Sequence, residues 1–230
     1  MDKEQLLKII LGISTCSERV GTFNLALERA RFICGNIGEK HQLTKAEFYF
    51  RQDTLEKCMN GNVPSQKEEI GELFVSLFLY LNCLEQLGLL FLSKKEKDEN
   101  GIKESLEYAC NNGMLNFNGV KEEIKVLTRL RHSLAHNYGL VSIPKWKQTT
   151  YYKYLLSFEE AGNKIIDMPK NNWSGDYTQK NDDLSVIIYV FPLINKIEEI
   201  IESIKSNFLN GTLSCSISKE ELEARFTILY

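Results

Sequence analysis

Arg131, His136 and Tyr138 are the side chains whose types and spacing best suit chemistry on an anion. They lie in the stretch Arg131-His-Ser-Leu-Ala-His136-Asn-Tyr138-Gly, at the end of a helical pattern. An arginine can hold a phosphate through paired hydrogen bonds, and a histidine that titrates near neutral pH can carry protons. Five positions on an ideal helix separate two side chains by about 140°. The pair therefore meets at one phosphate only if the arginine leans along the helix towards the last turn.

The motif lies in a basic segment without acidic residues. From 124 to 158 the chain has no Asp or Glu, although its net charge is −3 overall. The positive residues of this acid-free segment are Lys125, Arg129, Arg131, Lys145, Lys147 and Lys153. Local positive charge in an acidic protein indicates a site for a negatively charged partner.

A metal site is the alternative for the histidines. His132 and His136 are four positions apart, a spacing at which two side chains share one helix face and can both bind zinc. The structural and catalytic zinc sites of proteins have three or four protein ligands, and a third ligand is missing locally, because the acid-free segment supplies no Cys, Asp or Glu. We therefore expect no metal and no cofactor in this site.

Arg131 interrupts an apolar helical stripe, and so does Glu85. The stripe runs through Ile124, Leu127, Arg131, Leu134 and Tyr138, in steps of three and four. A buried, unpaired guanidinium costs several kcal/mol, so Arg131 needs an acidic partner, and we predict Glu85. Two interpretations remain open: a structural salt bridge inside a helix bundle, or a catalytic arginine at the edge of a cleft.

Composition describes an ordinary soluble protein. Hydrophobic residues make up 43 % and charged residues 26 % of the 230 residues. The six cysteines form no C-x-x-C pair, and no signal peptide is visible, so we expect reduced thiols and a cytoplasmic location. The apolar run 73–92 is long enough for a membrane span, but Asn82, Glu85 and Gln86 fall inside it, which favours a buried helix and no membrane.

The periodicity predicts one mainly helical domain, 1–230. A helical bundle core is expected at 65–140, with a helix opening at the capping box Ser65-x-x-Glu68 and a motif helix between Gly119 and Gly139. A small β-hairpin is expected at 145–170, its strands joined by a turn at Gly162-Asn163, and a C-terminal helix at 184–208. A last short helix is capped by Ser218.

Arg131-x4-His136-x-Tyr138 near the end of a bundle helix resembles the signature of the HEPN superfamily (higher eukaryotes and prokaryotes nucleotide-binding domain). That signature is R-x4–6-H, and one toxin branch shows R-x4-H-x-Y. The upstream helix with Glu85 is similar to the family helix that supplies an acidic partner for the arginine. His132 follows the arginine here, where Asn or Asp is commoner in the family. The resemblance covers roughly 65–140 and does not explain the predicted hairpin.

The resemblance implies an all-α, HEPN-like bundle, usually dimeric, with two motifs facing each other across a cleft. It implies metal-independent RNA cleavage by Arg131 and His136, with Glu85, His132 and Tyr138 in support, as in toxins and phage-defence effectors. A cognate antitoxin, or a nucleotidyltransferase that modifies Tyr138, would be a partner. Some members keep the fold without activity. The alternative is therefore a non-catalytic nucleotide- or protein-binding module in which Arg131 is a structural partner of Glu85.

RNA contacts are expected from the basic residues and from the aromatic residues among them. Trp146, Tyr151, Tyr152 and Tyr154 could stack on the bases of single-stranded RNA, or form the face of the hairpin that packs on the bundle. The candidates for direct RNA binding are Arg129, Lys145, Trp146 and Lys147.

Overall fold

The computed structural model describes residues 1–34, 66–92, 100–137, 139–142, 150–157, 162–179 and 181–229. About 58 % of these residues are helical, which confirms a mainly α protein, and two small sheets accompany the helices. The predicted contacts of Tyr138, Lys145, Trp146 and Lys147, and the capping role of Ser65, lie outside the described residues. Two N-terminal helices, α1 (Lys3–Ile10) and α2 (Thr22–Ile33), precede the predicted core.

The central helix, α3 (Gln66–Leu87), continues into a π-helical turn at Gly88–Leu92. Its apolar residues recur every three to four positions, and Leu73, Leu77, Leu81 and Leu84 are buried. By length and composition the stretch Leu73–Leu92 could cross a membrane, and 56 % of its most apolar window is buried inside the protein. It packs against α2 and the helices that follow it, which is how a core helix of a soluble protein is buried.

The next helix, α4 (Gly101–Asn111), approaches α3 so closely that neither contact position has room for a side chain. A Cβ atom at Gly88 would overlap the backbone of Gly101, and one at Gly101 would overlap the carbonyl of Glu85. The Ser105 hydroxyl also donates to the Leu84 carbonyl at 2.7 Å. These contacts fix the turn of α3 that carries Glu85.

The motif helix, α5 (Val120–Asn137), has the predicted bounds. At its beginning the Gly119 N–H donates to the Glu123 carboxylate at 2.9 Å, which satisfies one of the free amides of a helix start. Ile124, Leu127 and Leu134 are buried, as their spacing predicts. Arg131 lies on this buried stripe but at its edge, where the side chain remains partly exposed.

The predicted hairpin at 145–170 is wrong. The larger sheet has the order β2 (Val141–Ser142), β3 (Tyr152–Ser157), β5 (Ser185–Tyr189), β4 (Ile166–Asp167). Strands β3 and β4 both exist, but β5 lies between them, parallel to β3 and antiparallel to β4. Because β4 has only two residues, it can form few hydrogen bonds with a neighbouring strand. Strand β5 pairs with β3 over five residues, and this pairing brings the buried Val186 and Ile188 beside Tyr154.

The predicted C-terminal helix begins later than residue 184, because the residues that would form its first turns belong to the larger sheet. Ser185–Tyr189 forms strand β5, and the helix α6 runs over Val190–Leu209. Pro192 is its third residue, a position in the first turn where proline is tolerated. The last helix, α7 (Lys219–Phe226), is capped as predicted, since the Ser218 hydroxyl accepts from the Glu221 N–H at 3.2 Å. Two short strands, β1 (Arg19–Gly21) and β6 (Thr227–Leu229), form an antiparallel pair.

Candidate functional site

Arg131 and Glu85 form the predicted ion pair between α5 and α3. The guanidinium Nη2 contacts the Glu85 carboxylate, and the two side chains are 21 % and 17 % exposed. The pair is therefore at the border between core and solvent, neither fully buried nor on the open surface. Such a location lowers the desolvation penalty of both charges while limiting the screening of their attraction by water.

Asn82 is a second partner of Arg131 that the sequence analysis missed. Its Oδ1 accepts from Arg131 Nη2 at 3.1 Å, and its Nδ2 donates to the Phe78 carbonyl one turn earlier, at 2.8 Å. The bond to Phe78 orients the amide so that its oxygen faces the guanidinium. The spacing in the sequence could have indicated this partner. Asn82 precedes Glu85 by three positions, so the two side chains share a helix face.

Two buried polar atoms beside this pair have no partner among the described residues. They are Nε of Arg131, a donor, and Oε1 of Gln86, an acceptor. Gln86 lies four positions after Asn82, on the same side of α3. A buried polar atom without a hydrogen bond costs about 1–3 kcal/mol, so each of these atoms needs an ordered water or another polar group beside it.

His132 and His136 lie next to each other on the exposed side of α5. Both residues are exposed, and their ring centroids are 4.2 Å apart with an interplanar angle of 53°. Arg131 and His136 are separated by about 7.5 Å along the helix axis, at 1.5 Å per residue. The guanidinium is thus held at the helix–helix contact, and the imidazole projects from the last turn into solvent.

Arg129 joins α5 to the larger sheet. Its Nη1 donates to the Thr150 carbonyl at 2.8 Å, and its guanidinium stacks over the Tyr152 ring at 5.4 Å. Lys125 stacks over the same ring at 5.8 Å, and the Tyr152 hydroxyl donates to Glu122. These contacts show that Arg129 helps to join α5 to the sheet. Its predicted contact with RNA remains a proposal.

Of the two alternatives for Tyr152 and Tyr154, the structure confirms packing on the bundle and leaves neither ring exposed for base stacking. Both rings are buried, and the Tyr154 hydroxyl donates to the Val126 carbonyl at 3.0 Å. Burial is the largest cause that raises the pKa of the Tyr154 hydroxyl, so the group stays protonated. The period-two alternation of β3 turns these tyrosines towards α5 and Leu155 towards solvent.

A cavity lies at the other end of α5. Its volume is about 580 Å³, and it is lined by the loop 113–119, Glu122, the strand region 163–168 and Lys196. Glu122 precedes Arg131 by nine residues, about 13 Å along the helix. This cavity therefore includes neither Arg131 nor His136.

A second charged cluster, buried and remote in sequence, joins α2, α3 and α6. Arg31 makes two hydrogen bonds to Glu198, Nε to Oε1 at 2.8 Å and Nη2 to Oε2 at 2.7 Å, and Tyr80 donates to the same Oε1 at 2.7 Å. Burial and the Glu198 charge raise the pKa of Tyr80. Burial also raises the pKa of the Cys83 thiol to about 12. With Glu198 fully enclosed, this cluster is a structural junction that the sequence analysis did not identify.

No group of three or more His, Cys, Asp or Glu side chains that could hold a metal ion occurs within the described part of the chain. The chemistry available at the motif is that of a guanidinium held by Glu85 and Asn82, together with two imidazoles. These groups can bind a phosphate and exchange protons.

Comparisons with protein-family models, with curated proteins and with solved structures gave no significant match to this chain.

Proposed function

We propose that this protein is a metal-independent endoribonuclease of the HEPN type, in which Arg131 and His136 act on an RNA phosphodiester. The observation that carries the proposal is the state of Arg131: Glu85 and Asn82 hold its guanidinium, yet the side chain is one-fifth exposed and its Nε has no partner within the described residues. A guanidinium fixed in this way can bind an incoming phosphate without first having to be ordered.

The reaction follows from the groups at the site. His136 would accept the proton of the ribose 2′-hydroxyl as that oxygen attacks the phosphorus, and an imidazolium would donate a proton to the leaving 5′-oxygen. The products would be a 2′,3′-cyclic phosphate and a free 5′-hydroxyl. Arg131 would hold the non-bridging oxygens and offset their charge in the transition state. Because the nucleophile belongs to the ribose, DNA would not be cut.

The biological setting is part of the same proposal. The protein would act in the cytoplasm as a homodimeric toxin or antiviral effector, with two motifs facing each other and RNA bound along Arg129, Lys145, Trp146 and Lys147. A cognate antitoxin, or a nucleotidyltransferase that modifies Tyr138, would restrain it. The exposure of His136 supports a composite cleft, since a second copy would cover an imidazole that one chain leaves exposed.

Incubation of the purified, EDTA-treated protein with total RNA tests this function. We expect cleavage without added metal, products that end in a cyclic phosphate, and no cutting of DNA. Arg131→Ala and His136→Ala should each lower the rate by at least about 10²-fold, the usual contribution of a group that stabilises transition-state charge and of a positioned proton-transfer group, respectively. Arg225→Ala, which removes an exposed arginine paired with Glu221 on α7, is the matched control. A requirement for magnesium, or equal cutting of DNA, would exclude the mechanism.

A second candidate has its own observation in its favour. The Arg131–Glu85 pair joins two helices, and the 580 Å³ cavity lies at the other end of α5, which agrees with a binding module in which the arginine is structural. On this alternative, RNA cleavage is absent, and Arg131→Ala lowers the free energy of unfolding without removing any activity. The same purified variants therefore decide between the two functions.

A further inference from the structure

The exposed imidazoles of His132 and His136 lie side by side at a sequence spacing from which two histidines can bind one metal ion. They occupy positions four apart on α5, so they share one helix face, and their ring centroids are 4.2 Å apart. Both residues are exposed, so an ion and its water ligands can reach them without rearranging the core.

The separation of the rings fits coordination of one ion by both. At a metal–nitrogen distance of about 2.1 Å, each ring centre lies about 3.2 Å from the ion. Two ligands at the right angle of a square-planar or tetragonal Ni²⁺ or Cu²⁺ site then place the ring centres about 4.5 Å apart, and two at the tetrahedral angle of Zn²⁺ place them about 5.2 Å apart. The observed 4.2 Å differs from the first value by a few tenths of an ångström, and the second requires a larger rotation of the exposed side chains.

The surroundings select the kind of ion. The acid-free segment offers no carboxylate, and magnesium and calcium depend on oxygen ligands. Neutral imidazole instead suits Zn²⁺, Ni²⁺ and Cu²⁺. His136 lies in the last turn of an 18-residue helix, where the unpaired carbonyls and the helix dipole favour positive charge. The attraction of this helix end for a metal cation offsets the repulsion of the cation by neighbouring positive side chains such as Arg129.

We propose that His132 and His136 together bind one transition-metal dication, with water in its remaining coordination positions, and that the ion inhibits the ribonuclease. Each imidazole donates a nitrogen lone pair to the ion and displaces one of its water ligands. His136, with that lone pair engaged, can no longer accept a proton from the ribose. The binding step is independent of the proposed function, and the inhibition step rests on it.

Calorimetric titration of the untagged, full-length protein with NiCl₂ tests the binding step. We expect one Ni²⁺ per chain, and a loss of affinity of at least about tenfold in both His132→Ala and His136→Ala, because a missing ligand weakens binding at least as much as a missing supporting group does. His41→Ala, which removes the third histidine of the chain, is the matched control and should bind as the unaltered protein does. MgCl₂ should give no binding signal. Absence of Ni²⁺ binding, or binding that survives both substitutions of the pair, would overturn the site.

An RNA cleavage series with increasing ZnCl₂ tests the inhibition step. The unaltered protein should lose activity with rising Zn²⁺, and EDTA should restore it. His132→Ala, measured against its own metal-free rate, should need about tenfold more Zn²⁺ for half-inhibition. Cleavage that Zn²⁺ does not slow in a protein that binds Ni²⁺ through the pair would refute inhibition. A histidine-dependent titration in a protein that cuts no RNA would refute the proposed function and leave the metal site standing.

Discussion

Two polar side chains on one face of α3 hold Arg131. Glu85 supplies the charge and Asn82 a fixed amide oxygen. A buried charge is tolerated only where partners offset its desolvation. A structural salt bridge and a phosphate-binding arginine both need these partners, and the partial exposure of the pair favours the phosphate-binding role.

Substitution of Glu85 by Gln should reduce both stability and RNA cleavage. The variant keeps the size of the side chain but leaves the Arg131 charge without its counter-ion, so the free energy of unfolding should fall by about 1–3 kcal/mol, less than for a fully buried pair. Urea denaturation and the cleavage assay measure the two effects. Glu18→Gln, at an exposed carboxylate, should change neither. Unaltered unfolding of Glu85→Gln would show that the ion pair contributes nothing.

One buried carboxylate, that of Glu198, joins the helices α2, α3 and α6, which lie far apart in the sequence. Glu198 accepts two hydrogen bonds from Arg31 and one from Tyr80, and its side chain is inaccessible to solvent. Charge-assisted, two-pronged bonds of this kind fix the relative position of the elements that carry them.

Glu198→Gln should destabilise the protein strongly. Removal of one member of a buried pair costs about 3–5 kcal/mol where the other charge is left uncompensated. Arg31 keeps its bond to Glu202 at 3.2 Å, so we expect a loss of about 3 kcal/mol, at the lower end of that range. Glu199→Gln is the matched control, because the neighbouring Glu199 is one-third exposed and pairs only with Lys196 in the described contacts, so its loss should cost less than about 1 kcal/mol. Denaturant unfolding of the two variants under the same conditions provides the comparison. Equal, small losses would contradict a structural role for the cluster.

The contact between α5 and β3 should make stability depend on pH. Burial opposes ionisation of Glu122, but hydrogen bonds from Tyr152 and Lys125 outweigh it and lower the pKa of Glu122 below its ordinary value of 4.5. A lowered carboxylate pKa stabilises the folded state above the unfolded value, and this contribution disappears as the pH falls through the folded value.

Glu122→Gln should therefore lower the free energy of unfolding at neutral pH, by less than about 1 kcal/mol because the group is largely exposed. The difference from the unaltered protein should be constant above about pH 5 and should vanish in more acidic solution. Tyr152→Phe should show a similar loss at neutral pH, and the double variant should lose little more than either single one. A difference that persists in acid would contradict the assignment.

On the scale of the whole molecule, one face of α3 is incompletely covered. Val75 is 46 % exposed, Phe78 and Leu79 are only partly buried, and the same face continues to Asn82 and Glu85. An apolar stripe that leads directly to the candidate site is a suitable surface for a second copy of the chain. Such a dimer would bring two motifs together, as the proposed ribonuclease requires.

Light scattering at micromolar concentration should show a homodimer, and Val75→Asp should shift it to monomer while the fold is kept. A charge at the centre of an apolar interface is desolvated without a partner, which weakens association. Leu25→Asp, at a residue of α2 with 41 % exposure, is the matched control and should remain dimeric. An exclusively monomeric unaltered protein would remove the composite cleft from the proposed function.

The sequence by itself determined the motif helix α5, the apolar helix α3 and the pairing of the one charge that interrupts the apolar pattern of each. The stripe of α5 and the apolar run of α3 each contain one misplaced charge, and because a buried charge requires a partner, Arg131 and Glu85 were predictable as a pair. The Ser218 cap was predictable for a similarly local reason, since the group that it satisfies lies three residues away.

Only the tertiary structure decided the strand order, the start of α6 and the partners of Arg31. The residues 185–189 are a short apolar run that fits either a strand or the first turns of a helix, so periodicity could not identify β5. Strand pairing and the Arg31–Glu198 contact join residues far apart in the chain. The spacing of apolar residues indicates that one face of a helix or strand is buried. The surface that covers this face depends on the packing of the whole chain.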